Sequence, residues 1–319
     1  MSLDFNVTLV VPILNEAASL SELLESISAQ TFRPNELIFC DAGSTDGSQA
    51  LIQAWWSAKG WSGTSLKIIS LHQAMPGAGR SAGVRAALNH WIAFLDGGII
   101  PEVNWLRSLC VFAESVKAEA VFGVCHFSGY APFPKAICAL SYGQGSSHPV
   151  IPASLFSKSV FEKVGYFPEQ LRAGEDIVWL KRFLDCYTYR QICNEARVSY
   201  THFPDGWTKA MRKWRMYEFH CVQAGVRGAQ QFIYLISPLV ALYLAFQGAI
   251  YGFGIIFVYF LFRGLIDPIR RSNDRPWWGD SPKAALISPF LALVLDVSKW
   301  CGIVLGVYWK FCRKSGPLK

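Results

Sequence analysis

The residues best suited to chemistry are carboxylates that close apolar runs. Trp91-Ile92-Ala93-Phe94-Leu95 ends on Asp96, followed by Gly97 and Gly98. Such a run suits a strand buried on both faces of a parallel sheet. Ligands of open α/β sheets bind beyond the carboxyl ends of the strands. Asp96 is therefore placed to hold a divalent cation against a phosphate-bearing substrate, although an Asp ending a strand in a turn is the plainer reading. Asp41 closes a second apolar run, Glu36 to Cys40, and Asp46 reads as the cap of the next helix or as a substrate contact. The segment Gly77-Ala78-Gly79-Arg80-Ser81-Ala82-Gly83 has the glycines, helix start and fixed cation of a phosphate cradle. It is not a P-loop, and no G-x-G-x-x-G follows the first strand. Glu175 and Asp176 open a helix, either as first-turn carboxylates favoured by the helix dipole or as groups able to deprotonate a hydroxyl. His202 follows a strand and reads as a metal or phosphate contact, or as structural. His148 reads as a polar loop residue.

The elements that position these residues alternate. Val7 to Val11 reads as a strand. Ser19 to Glu22 has the capping-box pattern, and Leu20, Leu23, Leu24 and Ile27 form one helical stripe. Strands follow at Glu36–Cys40 and Leu66–Ile69, helices run to about Trp56 and after Gly83, and the Asp96 strand closes the series. This order predicts an α/β fold with a mostly parallel sheet and helices on both faces. A helix is expected over residues 104–116 and a strand over 120–124. Residues 130–152, rich in Gly, Ser and Pro, read as a long loop.

The chain has 319 residues, of which 52% are hydrophobic and only 17% charged. That is below the roughly 25% charged of soluble domains, and mean hydropathy is +0.24. A net charge of +7 suits an anionic membrane surface or a phosphorylated substrate. Nucleic acid is disfavoured, because no compact basic run precedes residue 207. Nine cysteines without a C-x-x-C pair point to reduced thiols rather than to disulfides or zinc. Met1 to Phe5 lacks the features of a signal peptide, so the first 230 residues are expected in the cytoplasm.

Five motifs in register carry a resemblance: Val10-Val11-Pro12-Ile13-Leu14-Asn15-Glu16, Asp41-Ala42-Gly43-Ser44-Thr45-Asp46-Gly47, the Gly79–Gly83 turn, Phe94-Leu95-Asp96 and Gly174-Glu175-Asp176. Residues 6 to 205 resemble a family 2 glycosyltransferase with a GT-A, Rossmann-like fold. The resemblance implies that Pro12 and Glu16 line the nucleotide pocket and that Asp41 reads the base. It also implies that Arg80 and Gly83 lie by the donor phosphates. Asp96 matches the first carboxylate of the family's Asp-x-Asp motif, which holds Mg²⁺ or Mn²⁺ on the diphosphate. Asp176 matches the catalytic base, and Glu175 is expected to orient the acceptor. Two positions depart from the pattern. Cys40 stands where another Asp is frequent, and Gly98 stands where the second metal carboxylate is usual. The metal set is thus Asp96, His202, diphosphate oxygens and water.

Domain boundaries are expected at 1–205 (catalytic), 206–230 (interfacial) and 231–319 (membrane). Residues 207–230 interleave Lys209, Arg212, Lys213 and Arg215 with Trp207, Met211 and Trp214, as in a helix at a membrane interface. Apolar segments at about 232–262 and 284–309 are long enough to enter a bilayer. Basic residues flank both, which favours two hairpins with all flanks cytoplasmic. Asp296 and Lys299 are spaced to pair. The reading is an inverting, non-processive glycosyltransferase on the cytoplasmic face of the membrane, since no Gln-x-x-Arg-Trp motif is present. It would move a sugar from a nucleotide-diphosphate donor to a hydroxyl of a lipid-linked saccharide or polyprenyl-phosphate acceptor. A catalytically weak scaffold subunit of a polysaccharide assembly is the alternative, and a nucleotidyltransferase is a second.

Overall fold

The structure is a computed structural model that describes residues 4–59 and 61–314. The start of the N-terminal reading (1–3) and the end of the basic tail (315–319) lie outside the described residues. In chain order the first elements are β1 (Val7–Ile13), α1 (Ala17–Ser28), β2 (Glu36–Asp41), α2 (Ser48–Lys59), β3 (Ser65–Ser70) and α3 (Pro76–Ala86). Next come β4 (Trp91–Phe94), β5 (Ile100–Pro101), α4 (Trp105–Val116), β6 (Ala120–Phe127), α5 (Pro132–Ser141), β7 (Ser146–Pro149) and β8 (Leu155–Ser157). Then follow α6 (Lys158–Val164), α7 (Glu175–Cys186), β9 (Gln191–Tyr200), α8 (Trp207–Ala224) and α9 (Gly228–Phe246). The chain ends with α10 (Ala249–Leu261), α11 (Asp267–Arg271) and α12 (Pro282–Lys314). These elements form two compact units, residues 1–126 with 147–200, and residues 127–146 with 201–319.

The first unit is a sheet in the order β3-β2-β1-β4-β8-β6-β9-β5, with β7 beside β6. Strands β3, β2, β1 and β4 are parallel, and β8 then pairs antiparallel with both β4 and β6. The parallel strands are short β-branched and aromatic runs because helices cover them. β1, β2 and β4 therefore deliver Ile13, Asp41 and the residues after Phe94 to one rim. An aromatic core ties that rim together. Phe94 of β4 meets Phe167 with ring centroids 5.7 Å apart, and Phe167 stacks on Trp179 of α7 at 4.9 Å. Burying each such ring stabilises the fold by about 1.5–3 kcal/mol, and here the packing fixes the start of α7 against the end of β4.

Two local expectations are corrected. Helix α1 begins at Ala17, so Ser19 is not its cap; the Ser19 hydroxyl donates to Glu16 Oε2 instead. The Ala17 N–H is satisfied by Asp46 from the following loop, at 2.8 Å. Asp46 also accepts from the Ser48 N–H at the start of α2, which makes it a cap as expected. Residues 130–152 are not one long loop, because they contain α5 and β7. Pro132 opens α5, where its missing N–H costs nothing.

In the second unit, three helices are long and apolar enough to cross a membrane: Gly228–Phe246, Ile250–Arg271 and Pro282–Cys312. The run 232–262 folds as a helical hairpin turning at Gln247 and Gly248. The run 284–309 is one uninterrupted helix rather than a second hairpin. Pro289 near its start does not break it. Asp296 and Lys299 pair at 3.0 Å as expected, and Arg263 joins them at 3.0 Å from Asp296. Among the described residues, no cysteine is paired in a disulfide.

Candidate functional site

Arg80 is the centre of the site. It projects from α3 and is almost wholly buried. Its Nη1 donates to Glu175 Oε1 at 2.6 Å, and its Nη2 to both oxygens of Asp96, at 2.8 and 3.0 Å. One guanidinium thus clamps the loop after β4 to the first turn of α7. Burial opposes its charge, but Asp96 and Glu175 outweigh that and hold it firmly cationic. Glu175 is buried as well, and burial pushes its carboxyl above the usual range, with Asp176 adding to the rise and Arg80 opposing it. Asp96 keeps a third of its side chain exposed. Arg80 fixes its orientation by donating to both oxygens. Asp176 is half-buried, accepts the Ile177 N–H at 2.8 Å, and lines a small cleft with Arg190, Phe122 and Ile151.

The glycines of the expected phosphate cradle permit close packing. They lie inside α3, not in a loop. A Cβ on Gly83 would overlap the Val10 side chain and sit 3.2 Å from Cys40 Sγ, and one on Gly79 would lie 3.2 Å from Pro12. A Cβ on Gly77 would overlap the Pro168 carbonyl oxygen. Their absence of side chains lets α3 lie close on β1 and β2 and brings Arg80 down to the strand ends. Cys40 is the thiol beneath this helix, and burial pushes it up to about 12. It is a neutral packing group where the family pattern has a carboxylate.

Asp41 is fully buried and its carboxylate is used locally. It accepts from the Ser44 N–H and hydroxyl at 2.9 and 2.6 Å, from the Gly43 N–H, and from the Gln49 amide. Burial raises its pKa, but these bonds outweigh burial and hold the carboxyl below its usual value. Glu16 sits beside Gly97, where a Cβ would come within 2.7 Å of its Cγ. Pro12, Glu16, Asp41, Arg80, Gly83, Asp96, Glu175 and Asp176 all belong to the first unit. Of these, Arg80, Asp96 and Glu175 are in direct contact. His202 belongs to the second unit, in the segment after β9. The motif reading passed over Asn15, which adopts φ 55°. Its N–H donates to Ser44 Oγ and its Oδ1 accepts from the Thr45 N–H, both at 2.8 Å, stitching the loops after β1 and β2. An Asn at a strand end is the residue that tolerates that conformation.

Residues 8–165 match the family model Glycosyl transferase family 2. The first unit therefore carries a domain of glycosyltransferase family 2, with the GT-A fold. The chain is 25% identical over 194 residues to glycosyltransferase AglE of Haloferax volcanii, covering 56% of this chain and 61% of that protein. It is 27% identical over 215 residues to the pre-mycofactocin glycosyltransferase of Mycobacterium tuberculosis, covering 62% and 43%. It is 27% identical over 203 residues to the succinoglycan biosynthesis protein ExoO of Rhizobium meliloti, covering 57% and 56%. The chain thus spans about half the length of the curated relatives it matches. Among solved structures, TarS 1-349 of S. aureus in complex with UDP-GlcNAc aligns at 16% identity with a TM-score of 0.49, covering 96% of this chain and 92% of that chain.

Enzymes of this family commonly use a divalent cation. Among the described residues, no three His, Cys, Asp or Glu side chains are grouped as a metal cage. A carboxylate donor is nonetheless present, since Asp96 belongs with Glu175 and Asp176 to the acidic cluster around the Arg80 guanidinium. Mg²⁺ needs only one or two carboxylates when phosphate oxygens and water complete its shell. Asp96, with a third of its side chain exposed, is the carboxylate that would serve.

Proposed function

We propose that this chain is an inverting glycosyltransferase that moves a sugar from a nucleotide-diphosphate sugar to a hydroxyl of a lipid-linked acceptor at the cytoplasmic face of a membrane. The observation that carries the reading is the Arg80 clamp on Asp96 and Glu175 at the carboxyl rim of the parallel strands. In this account Pro12 and Glu16 line the nucleotide pocket, and Asp41 meets the base through the loop it holds. Gly83 lets α3 carry Arg80 to the rim. Asp96 would hold the Mg²⁺ or Mn²⁺, and His202 is a proposed second ligand on its place in the sequence. A bound cation neutralises charge on the leaving diphosphate.

The chain's own residues do the rest. Arg80 fixes the Asp96 carboxylate, so no reorganisation is needed when donor arrives. Asp176 accepts the proton of the acceptor hydroxyl as its oxygen attacks the anomeric carbon. The bond from that carbon to the diphosphate oxygen breaks on the opposite side, and its electron pair leaves with the nucleoside diphosphate. Attack opposite the leaving group inverts the anomeric centre. Glu175 holds Arg80 and, through it, the start of α7.

Membrane attachment favours a lipid acceptor, because it confines enzyme and substrate to one surface. Basic flanks around the apolar helices favour the cytoplasmic side. The test is transfer of radiolabelled sugar from nucleotide donors into membrane lipid extract by the detergent-purified chain. Label should enter the lipid phase with inverted anomeric configuration. Asp176→Asn should reduce transfer by about 10²–10⁴-fold, the range of a general base. Retained configuration would refute the mechanism. Biological output that survives Asp176→Asn would instead favour the scaffold reading, to which Gly98 lends support.

A further inference from the structure

We infer that the second unit is monotopic: α12 lies in the plane of the membrane, and only the α9–α10 hairpin dips into the bilayer, without crossing it. The inference rests on the membrane attachment proposed above and not on the catalytic reading.

The contacts of α12 give its direction. Ser288 Oγ donates to the Gly264 carbonyl at 2.7 Å, and Pro289 fills the space beside Gly264. Phe290 packs on Phe260 with centroids 5.8 Å apart. Asp296 accepts from Tyr259 at 3.1 Å, from Arg263 at 3.0 Å and from Tyr234 of α9 at 3.1 Å. Lys299 then reaches the Tyr234 hydroxyl at 3.0 Å. Over about 17 Å of α12, its partners on the second arm move by little more than one turn, from Gly264 to Tyr259. They then jump to the other arm. Helices that run side by side exchange partners residue for residue along both. α12 therefore crosses the base of the hairpin steeply.

The crossing point sets the depth. Between Tyr259 and the turn at Gly248 lies about 16 Å of helix, and from Arg263 about 22 Å, at 1.5 Å per residue. A hydrocarbon core is about 30 Å thick. A hairpin held at its base by Asp296, Arg263, Lys299 and two tyrosines reaches past one leaflet and stops short of the far surface.

The two faces of α12 fit the same placement. Ala284, Ser288, Leu291, Leu295 and Ser298 form a buried stripe. Further along, Gly302 and Gly306 lie against Arg215 and Val222 of α8. Leu286, Phe290, Leu293, Val297, Val304 and Tyr308 form a second stripe, exposed and uncharged, at spacings of three, four and seven. Phe290 belongs to the stripe and also touches the hairpin, so the apolar face and the hairpin share one side. α8 carries Arg212 and Arg215, both exposed, alongside this part of α12. A spanning α12 would draw those cations into hydrocarbon, which is strongly unfavourable. An in-plane α12 leaves them at headgroup level, where they complement anionic lipid. The occupant of the stripe is accordingly one leaflet of an anionic phospholipid bilayer.

The test is single-cysteine labelling of the full chain in intact cells and in inverted membrane vesicles, with a membrane-impermeant maleimide. Cys186→Ser and Cys301→Ser remove the other exposed and partly exposed thiols, so that Cys312 is read alone. Asp280→Cys and Gln247→Cys are read with Cys312→Ser added. Cys312 and Asp280→Cys should label from one and the same face. Gln247→Cys should label from neither face until detergent is added. Labelling of Gln247→Cys from the face opposite Asp280→Cys would show that the hairpin spans. Labelling of Cys312 from that opposite face would show that α12 spans. Either result overturns the inference while leaving membrane attachment intact. A chain that fails to sediment with membranes removes both.

Discussion

Arg80 makes the site sensitive to a change that preserves charge. A lysine can answer Glu175 or Asp96 as a point charge, but it cannot hold both in one planar fork. Arg80→Lys should lower kcat/KM by roughly 10–100-fold, equivalent to the 1.5–3 kcal/mol of a charged hydrogen bond. Circular dichroism should be unchanged, and a variant with wild-type activity would show that the clamp is not used. Asp41 permits a prediction with a sign. Its carboxyl is held below the usual value in the fold, so it stabilises above the unfolded pKa near 3.9, and that contribution fades as pH falls through the folded value. Asp41→Asn should cost roughly 1–3 kcal/mol at pH 7 in urea denaturation. The deficit should shrink below about pH 4; a deficit that grows on acidification contradicts the assignment. At this scale the sequence showed which residues matter but not how they pair. Arg80, Asp96 and Glu175 are far apart in the chain, and only the close seating of α3 brings them together. The pairing of Asp46 with Ala17 was hidden for the same reason.

At the scale of elements, α3 shows why a glycine-rich stretch was misread. Glycine in a helix interior is ordinarily a cost relative to alanine, so three of them in seven residues read as a loop. They are tolerated because each faces backbone or side chain too near for a Cβ. Gly83→Ala should therefore reverse the usual gain from Gly→Ala and destabilise by about 1–3 kcal/mol, the cost of overpacking. Chemical denaturation of the full chain in detergent measures it, and a stabilised variant would refute the packing argument. The strands of the parallel sheet were plain in the sequence, since both-face burial leaves continuous apolar runs. Helix α5 was not, because Pro132 and Pro134 resemble loop punctuation until one sees that both fall in a first turn. The second apolar run read as a hairpin because length alone cannot distinguish a long in-plane helix from two short ones.

For the whole molecule, the account joins a family 2 glycosyltransferase domain to a basic, apolar unit. Composition set the C-terminal third apart, because most of the long apolar runs lie there. It could not show that residues 127–146 group with that third, because the grouping depends on tertiary contacts. If α8 meets anionic lipid, replacing Lys209, Arg212 and Arg215 with Glu should weaken binding to phosphatidylglycerol vesicles, each lost cation costing about 1 kcal/mol. The effect should diminish as salt rises, and unaltered binding at low salt would exclude α8 from the contact. The central claim is donor chemistry at the Arg80 site. It is tested most directly by nucleotide release from a panel of nucleotide sugars, with membrane lipid extract as acceptor and with or without Mg²⁺ or Mn²⁺. The account predicts release from one donor that requires the cation and is lost in Asp96→Ala and in Asp176→Asn. Release that survives both substitutions, or no release from any donor by well-folded protein, would contradict it.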